Sequence, residues 1–237
     1  MTKSQSPFAD PALVSTYADD TPLKVPGLAD LHRMAMLLLS EQGPDAADIL
    51  VIGAGGGLEL KAMAEVRRDW TFTGVDPSRA MLDLARRHIQ PFGDRITWVE
   101  GVAEDAPPGP FDGATCLLTL HFLEAAERRR TLAAIHDRLK PGGRLIVAHH
   151  AAPGGDAERW LARSAAFANR GALDWEKARA SAKAMAERLP LSSCADEERL
   201  LREAGFIEVT LFYAAFSFRG WVATAAPAAR SRSSEDR

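Results

Sequence analysis

ILVIGAGGGLELKAM, residues 49–63, is the stretch that decides the fold of this chain. An apolar run, ILVI, leads into a turn of five residues of which four are glycine, and an amphipathic pattern follows. Glycine permits a positive φ and lets another molecule approach the main chain, although it costs about 0.5–1 kcal/mol relative to alanine inside regular structure. The stretch therefore predicts a strand, a ligand-binding turn and a helix whose first N–H groups are free to meet a ligand.

The alternation of apolar runs and helical patterns continues to residue 150. The later runs are TFTGVD, ITWVE, ATCLLTL and RLIVAHH, and a further helix is expected before the first strand, over residues 30–41. Because the runs are continuous rather than alternating, they are typical of parallel strands buried on both faces. Right-handed strand–helix–strand crossovers then predict an α/β, Rossmann-like fold, a mostly parallel sheet with helices on both faces.

The pattern changes after residue 150. Helices are expected over residues 157–169, 175–188 and 196–204, the last with Asp196 as its N-cap and Gly205 as its C-terminal stop. Two aromatic-rich segments, IEVTLFY and FSFRGWVA, are expected to form the last two strands.

The chain divides into three parts by composition. Both ends are rich in small, polar and charged residues, which favours mobility over a packed core. We expect a mobile N-terminal segment (1–16), a single domain (17–224) with a helical lid and substrate region (about 151–195), and a disordered tail (225–237).

Composition and charge favour a small-molecule substrate. Of the 237 residues, 46% are hydrophobic and 26% charged, which is ordinary for a soluble globular protein, and a net charge of −3 leaves no electrostatic footprint for nucleic acid. The run Arg128-Arg129-Arg130 is interpreted as a solvated helix face rather than a nucleic-acid contact.

Cysteine usage and the first residues of the chain point to the cytoplasm. Cys116 and Cys194 lack metal-site spacing, so we expect reduced thiols and no metal. Neither a signal peptide nor a membrane span is expected.

Asp76, in TGVDPS, follows the second strand by the spacing that a bound nucleoside requires. The turn reads G-x-G-x-G, since the dinucleotide fingerprint would need glycine where Leu58 stands, and no P-loop Lys follows it. The carboxylate of Asp76 could accept both hydroxyls of a ribose, or it could cap the helix that begins near Pro77. Joined to the glycines, the ribose interpretation is favoured.

Taken with the loop EGVAEDAP after the third strand and LKPGG before the fifth, these motifs resemble those of class I S-adenosylmethionine-dependent methyltransferases. The resemblance covers about residues 17–223. It implies a seven-stranded sheet whose last strand is antiparallel, S-adenosylmethionine as the cofactor, and transfer of its methyl group to a small molecule.

A narrower resemblance is to the carboxy-S-adenosylmethionine synthase group. It is carried by VPGL, SRAMLDLARRHI, LTLHFLEAAERRRTL, LKPGG and the closing EERLLREAGFIEVTLFYAAFSFRGWVA. It implies an alternative function, synthesis of a carboxylated cofactor for modification of a tRNA wobble uridine. A third hypothesis is a non-catalytic module that binds an adenosyl ligand.

The resemblance implies positions for the cofactor. The methionine portion is expected at Gly53, Ala54 and Gly55, the ribose and adenine edge at Asp76 and Pro77, and the adenine at Val102 and Ala103. The chain departs from the family at Val51, where an acid is usual, and at Val102, where Asp is usual.

Three further departures concern the carboxylate of the carboxylated cofactor. By alignment, Leu28, Leu117 and Lys183 stand where the synthase group has Tyr, Asn and Arg. We expect Leu28 and Leu117 to bind the uncharged methyl end of the ordinary cofactor, and Lys183 to contact substrate.

Catalysis is expected mainly from proximity, because a methyl sulfonium is already activated. His121 follows the fourth strand, where it could orient or deprotonate a substrate, or could simply be a polar residue at a strand–helix junction. His149 and His150 end the fifth strand and could face the same pocket. Trp160 is expected to contact substrate on the lid, although aromatic residues at helical spacing are more often core. A homodimer is left open.

Overall fold

Strands and helices alternate in the computed structural model as the sequence pattern predicts, and the structure describes residues 11–227. The strands are β1 (Asp48–Ile52), β2 (Thr71–Asp76), β3 (Ile96–Glu100), β4 (Phe111–Leu117), β5 (Leu139–His150), β6 (Phe206–Ala215) and β7 (Phe218–Ala225). The helices are α1 (Pro11–Lys24), α2 (Leu28–Ser40), α3 (Leu58–Val66), α4 (Arg79–His88), α5 (Ala125–His136), α6 (Ala157–Ala168), α7 (Trp175–Ala186) and α8 (Cys194–Glu203).

The strands form one sheet with the order β3-β2-β1-β4-β5-β7-β6. Strands β1 to β5 pair in parallel, whereas β7 runs antiparallel to both β5 and β6. The predicted Rossmann-like sheet with an antiparallel last strand is therefore confirmed. In this topology the order reverses between β1 and β4, and ligands bind outside the carboxyl ends of the strands at such a reversal.

Strand β1 shows why a continuous apolar run was required. Successive side chains point to opposite faces of a sheet, so Ile49 and Val51 join one hydrophobic core while Leu50 and Ile52 join the other. Helices cover both faces, and all four of these side chains are buried.

The helical region before the last two strands lies where the sequence predicts it, with one error at a cap. Helix α8 begins at Cys194 and its N-cap is Ser193, whose hydroxyl oxygen accepts the N–H of Asp196 at 3.1 Å. Asp196 was therefore wrongly predicted as the cap, because a serine three residues earlier takes that role. Gly205, at φ 98°, follows the last helical turn as expected.

The interpretation of Arg128-Arg129-Arg130 as a solvated face is wrong for Arg128. That side chain is 1% exposed, whereas Arg129 and Arg130 are about 60% exposed. The guanidinium of Arg128 points inward from α5, and each of its three nitrogens donates to at least one acceptor. Its acceptors are Leu120 O, Leu123 O, Pro190 O, the Ser192 hydroxyl and the Glu197 carboxylate.

The expected terminal segments lie partly beyond the described part of the chain. Residues 1–10 and 228–237 lie outside the described residues, while residues 11–16 belong to α1 and residue 225 ends β7. Within residues 11–227, no helix combines the length and the apolar character needed to cross a membrane.

Candidate cofactor site

The glycine turn after β1 is held by backbone hydrogen bonds at the carboxyl edge of the sheet. The N–H groups of Gly53 and Ala54 both donate to the carbonyl of Val75, each at 2.9 Å. Gly53 and Gly55 have φ of 74° and 49°, a region that a side chain with a Cβ rarely adopts. A Cβ on Gly53 would also lie 1.9 Å from the hydroxyl of Thr119, so packing requires glycine there as well.

Asp76 lies at the end of β2 and braces this turn. One carboxylate oxygen accepts the N–H of Gly55 at 2.9 Å and the other accepts the N–H of Ser78 at 2.8 Å. Ser78, not Asp76, is the N-cap of α4, because its hydroxyl accepts the N–H of Met81. Burial raises the pKa of Asp76, and the two backbone donors act against that rise. Each oxygen keeps a further lone pair with which it can accept a hydroxyl.

A cleft of about 300 Å³ opens on one side of the turn. It holds four of the predicted cofactor residues, Gly53, Pro77, Val102 and Ala103. The 42% exposed Val102 is held in place by its N–H, which donates to Asp105 at 2.9 Å. The lining is largely apolar side chains and backbone, as an aromatic ring requires. The other lining residues are Ile52, Val75, Gly101, Glu104, Thr119, Leu123, Glu127, Arg130 and Thr131.

A much smaller, more enclosed cavity of about 20 Å³ lies on the other side. It brings together the predicted residues Gly53, Ala54, Leu28 and Leu117, which come from three separate parts of the chain. Gly53 lines both spaces, so the turn separates them. The remaining lining residues are Tyr17, Thr21, His32, Leu58, Glu59 and Leu118.

Sequence reasoning missed Glu59 in this cavity. Its side chain is buried, accepts a hydrogen bond from the hydroxyl of Thr115 on β4, and has a pKa raised by burial to about 7. The available signal was its position on α3, four residues before the buried Met63 and so on the apolar face of that helix. Leu118, at φ 57°, is a strained non-glycine residue at the same edge.

The predicted histidines are buried behind the carboxyl edge of the sheet. His121 is 5% exposed and packs against the rings of Phe122 and His150, at 4.1 and 5.0 Å between centroids. Burial holds the pKa of His121 well below its ordinary value, so the imidazole is neutral. His150 Nδ1 lies 2.7 Å from the Ser217 hydroxyl, and His149 Nε2 lies 3.2 Å from the buried carboxylate of Glu197.

The residues proposed for substrate lie on the helical region and line neither of the two spaces. The guanidinium groups of Arg163 and Arg219 both lie over the ring of Trp160, at 4.2 and 5.5 Å from its centroid. Lys183 is exposed on α7. Val51, where an acid would be usual, is buried in the core. The structure thus gathers most of the predicted cofactor residues and leaves these apart.

Residues 49–143 match the model of the methyltransferase domain family. The chain is 28% identical over 138 residues to a carboxy-S-adenosyl-L-methionine synthase from Campylobacter lari, covering 58% of this chain and 59% of that protein. It is 32% identical over 124 residues to a ubiquinone biosynthesis O-methyltransferase from Pseudomonas aeruginosa, covering 51% of this chain and 52% of that protein. The matched region thus spans between half and two thirds of these relatives.

Solved structures share the fold at lower identity. An O-methyltransferase family protein from Burkholderia thailandensis has a TM-score of 0.60 at 16% identity, covering 91% of this chain and 57% of that one. Human N-acetylserotonin methyltransferase in complex with S-adenosylmethionine has a TM-score of 0.58 at 16% identity, covering 93% of this chain and 61% of that one. Over residues 11–227 the chain thus shares the fold of solved methyltransferases, and residues 49–143 match the methyltransferase domain family.

Proposed function

We propose that the protein transfers the methyl group of S-adenosylmethionine to a small-molecule acceptor. The observation that carries the proposal is the placement of the glycine turn between a cleft of about 300 Å³ and a small cavity of about 20 Å³, both of which Gly53 lines. A ligand with a nucleoside at one end and a small polar group, such as the ammonium of an amino acid, at the other matches two such spaces on either side of the glycine turn.

The residues present fit this cofactor. Val102, Ala103 and Pro77 supply apolar surface and backbone for an adenine, and Asp76 offers carboxylate lone pairs for ribose hydroxyls. The turn from Gly53 to Gly55 would take the amino-acid portion. When bound, the cofactor supplies a methyl group already activated by a positively charged sulfur.

The chain's own contribution to catalysis is then orientation and exclusion of water. Holding reactants in line can lower a barrier by about 7–11 kcal/mol without a dedicated acid or base. His121 is proposed as the proton acceptor for an acceptor hydroxyl, since a neutral imidazole can take up a proton. Burial keeps its pKa low, so the imidazole is neutral but a weak base, and its expected contribution to catalysis is smaller than that of orientation. Trp160 and Lys183 are proposed to contact the acceptor from the helical region.

Calorimetric titration tests the proposal. The purified protein should bind S-adenosylmethionine and S-adenosylhomocysteine and should bind NAD at least tenfold more weakly. Incubation with a panel of small phenols, carboxylic acids and amines should then release S-adenosylhomocysteine with at least one acceptor. Preference for NAD would contradict the proposed cofactor. Tight cofactor binding without transfer to any acceptor would favour the non-catalytic module.

A second candidate, synthesis or use of the carboxylated cofactor, is favoured by the likeness to carboxy-S-adenosyl-L-methionine synthases. Two observations weigh against it. Leu28 and Leu117 give the small cavity apolar walls, and its charged lining residue is the carboxylate Glu59 rather than a Lys or Arg. Burying a second negative charge beside these groups without partners is costly.

We therefore expect S-adenosylmethionine to bind more tightly than its carboxylated form. A competition titration measures the ratio of the two dissociation constants directly. A carboxylated cofactor that wins by tenfold, about 1.4 kcal/mol, would overturn this preference and make the synthase the first candidate.

We also propose that the protein acts in the cytoplasm, does not contact nucleic acid directly and can form a homodimer. The free thiols of Cys116 and Cys194 and the net charge of −3 support the first two statements. Light scattering of the purified protein determines the oligomeric state.

A further inference from the structure

The carboxyl group of Glu59 is buried beneath the glycine turn and is only partly satisfied. The residue is 7% exposed, in the first turn of α3. Within residues 11–227 the hydroxyl of Thr115 is its one hydrogen-bond donor, and no Lys or Arg lies within ion-pair distance of it. A buried carboxyl group with one donor retains unused acceptor capacity.

The cavity that Glu59 lines has the size of one small polar group. Its volume of about 20 Å³ accommodates a single water-sized group. A primary ammonium group is of that size. The lining also includes Gly53, Ala54 and Thr21, but no Lys or Arg. Size and charge therefore both select a small cation.

The neighbouring titratable groups stay uncharged near neutral pH. The pKa of Tyr17, from α1, is raised by burial to about 12, and that of His32, from α2, is lowered by burial to about 4. Burial also raises the pKa of Cys116, from β4. Glu59 is thus the group in this cluster whose charge changes near pH 7, because burial raises its pKa to about 7.

We propose that Glu59 binds the α-ammonium group of the amino-acid portion of the cofactor. This inference rests on the proposed function and adds to it the residue that recognises the amino acid. An ammonium group at the carboxyl favours its ionised form, so the carboxyl gives its proton to solvent as the ligand binds. At pH 7, a group that titrates at about 7 would release about half a proton per ligand bound.

Two ligands separate this inference from a structural role. S-adenosylhomocysteine carries the amino-acid portion and 5′-methylthioadenosine lacks it, while both carry the adenosine. Glu59→Gln keeps the size of the side chain and an acceptor for Thr115, but cannot ionise. Glu65→Gln, on the exposed face of the same helix, is the matched control, since the Glu65 side chain is 49% exposed.

Calorimetric titration should show that Glu59→Gln weakens the binding of S-adenosylhomocysteine at least tenfold and changes the affinity for 5′-methylthioadenosine less than twofold. Glu65→Gln should change neither. Titrations of the wild-type protein at pH 7, in buffers of different ionisation enthalpy, should show proton release with S-adenosylhomocysteine and none with 5′-methylthioadenosine. Glu59→Gln should abolish that release. The wild-type proton measurement remains decisive if this variant does not fold.

Three results would overturn the inference. If Glu59→Gln weakens the binding of both ligands equally, Glu59 has a structural role. If the binding of both is unchanged, Glu59 does not belong to the site. If both ligands cause equal proton release, the proton comes from another group. In each of these the proposed function stands, because the adenosyl ligands still bind wild-type protein. Failure of wild-type protein to bind either ligand would instead overturn the proposed function and this inference together.

Discussion

At the scale of the single residue, Asp76 braces the glycine turn, and we propose that its carboxylate also binds the ribose of the cofactor. It accepts two backbone N–H groups, which hold the glycine turn and the start of α4, and it leaves lone pairs for a ligand. Charge-assisted hydrogen bonds contribute about 1.5–3 kcal/mol each, and loss of an acceptor also leaves buried N–H groups without a partner.

Asp76→Ala should therefore weaken binding of S-adenosylmethionine tenfold to a hundredfold and lower the free energy of unfolding by about 1–3 kcal/mol. Calorimetric titration and urea denaturation measure the two effects. Asp83→Ala, on the exposed face of α4, is the control and should change neither, since the Asp83 side chain is 46% exposed. Unchanged affinity in a folded Asp76→Ala protein would limit Asp76 to its structural task.

Gly55 is required by its backbone conformation and by the space above it. Its φ is 49°, and an added Cβ would lie 3.3 Å from the hydroxyl oxygen of Tyr17. Gly55→Val adds a β-branched side chain that strongly resists a positive φ and occupies the space proposed for the amino-acid portion. We expect cofactor binding to fall at least a hundredfold, with most of the circular dichroism signal retained.

Gly93→Val is the matched control for that variant. A Cβ on Gly93 would have no heavy atom within 4 Å, so this substitution should leave cofactor affinity within twofold. Normal binding by Gly55→Val would remove the turn from the cofactor site.

At the scale of the elements, a buried ionic cluster ties α8 and the segment before it to the sheet. Arg128 on α5 pairs with Glu197 on α8, and Glu197 lies 3.2 Å from His149 at the end of β5. Arg128 also donates to Pro190 and Ser192, which precede α8. The cluster therefore joins α5, α8, β5 and the segment that leaves the helical region.

Removing one partner of such a pair leaves a buried charge uncompensated. Arg128→Met should lower the free energy of unfolding by about 3–5 kcal/mol, as measured by urea denaturation. The neighbouring Arg129→Met is the control and should change it by less than about 0.5 kcal/mol, because the Arg129 side chain is 59% exposed. The double variant Arg128→Met/Glu197→Leu should be more stable than Arg128→Met alone. A single variant as stable as wild type would show that the cluster is not coupled to folding.

At the scale of the whole molecule, buried neutral histidines make the fold sensitive to acid. Burial lowers the pKa of His32 to about 4, that of His150 to about 3, and that of His121 well below its ordinary value. A histidine with a lowered pKa binds a proton in the unfolded chain before it does in the folded one. Its contribution to stability is therefore full above about pH 6.5 and is lost as the pH falls towards its folded pKa.

Glu59 has the opposite effect on stability, because its pKa is raised to about 7 in the folded protein. Its contribution to the free energy of unfolding is therefore largest at low pH and falls as the pH rises from 4.5 to 7. Each proton that binds to only one of the two states changes the free energy of unfolding by about 1.4 kcal/mol per pH unit. The loss from the three histidines is therefore larger than the gain from the single carboxyl group. We expect the free energy of unfolding to fall by about 1–3 kcal/mol between pH 7 and pH 5.5 in urea denaturation. Stability that rises over this interval would mean that the histidines are charged in the folded protein.

The sequence alone determined the fold and the backbone part of the site. The continuous apolar run of β1 is typical of a strand covered on both faces, and the glycines at its end favour a turn with positive φ. Both are local constraints, written in adjacent residues. The edge of the sheet and the glycine turn were therefore predictable from the residues themselves, whereas the loop at Val102 was predicted from the family resemblance.

The tertiary structure decided which distant side chains share a space. Leu28, Glu59 and Leu117 lie on α2, α3 and β4, and they meet only because these elements pack around one edge of the sheet. The sequence pattern predicted that Arg128 is solvated, because its hydrogen-bond acceptors lie up to 69 residues away in the chain and so leave no local signal. Periodicity reports which face of an element is buried, whereas the partners of a buried charge depend on how elements dock. The identity of the charged groups in this site was for that reason set by packing and not by local pattern.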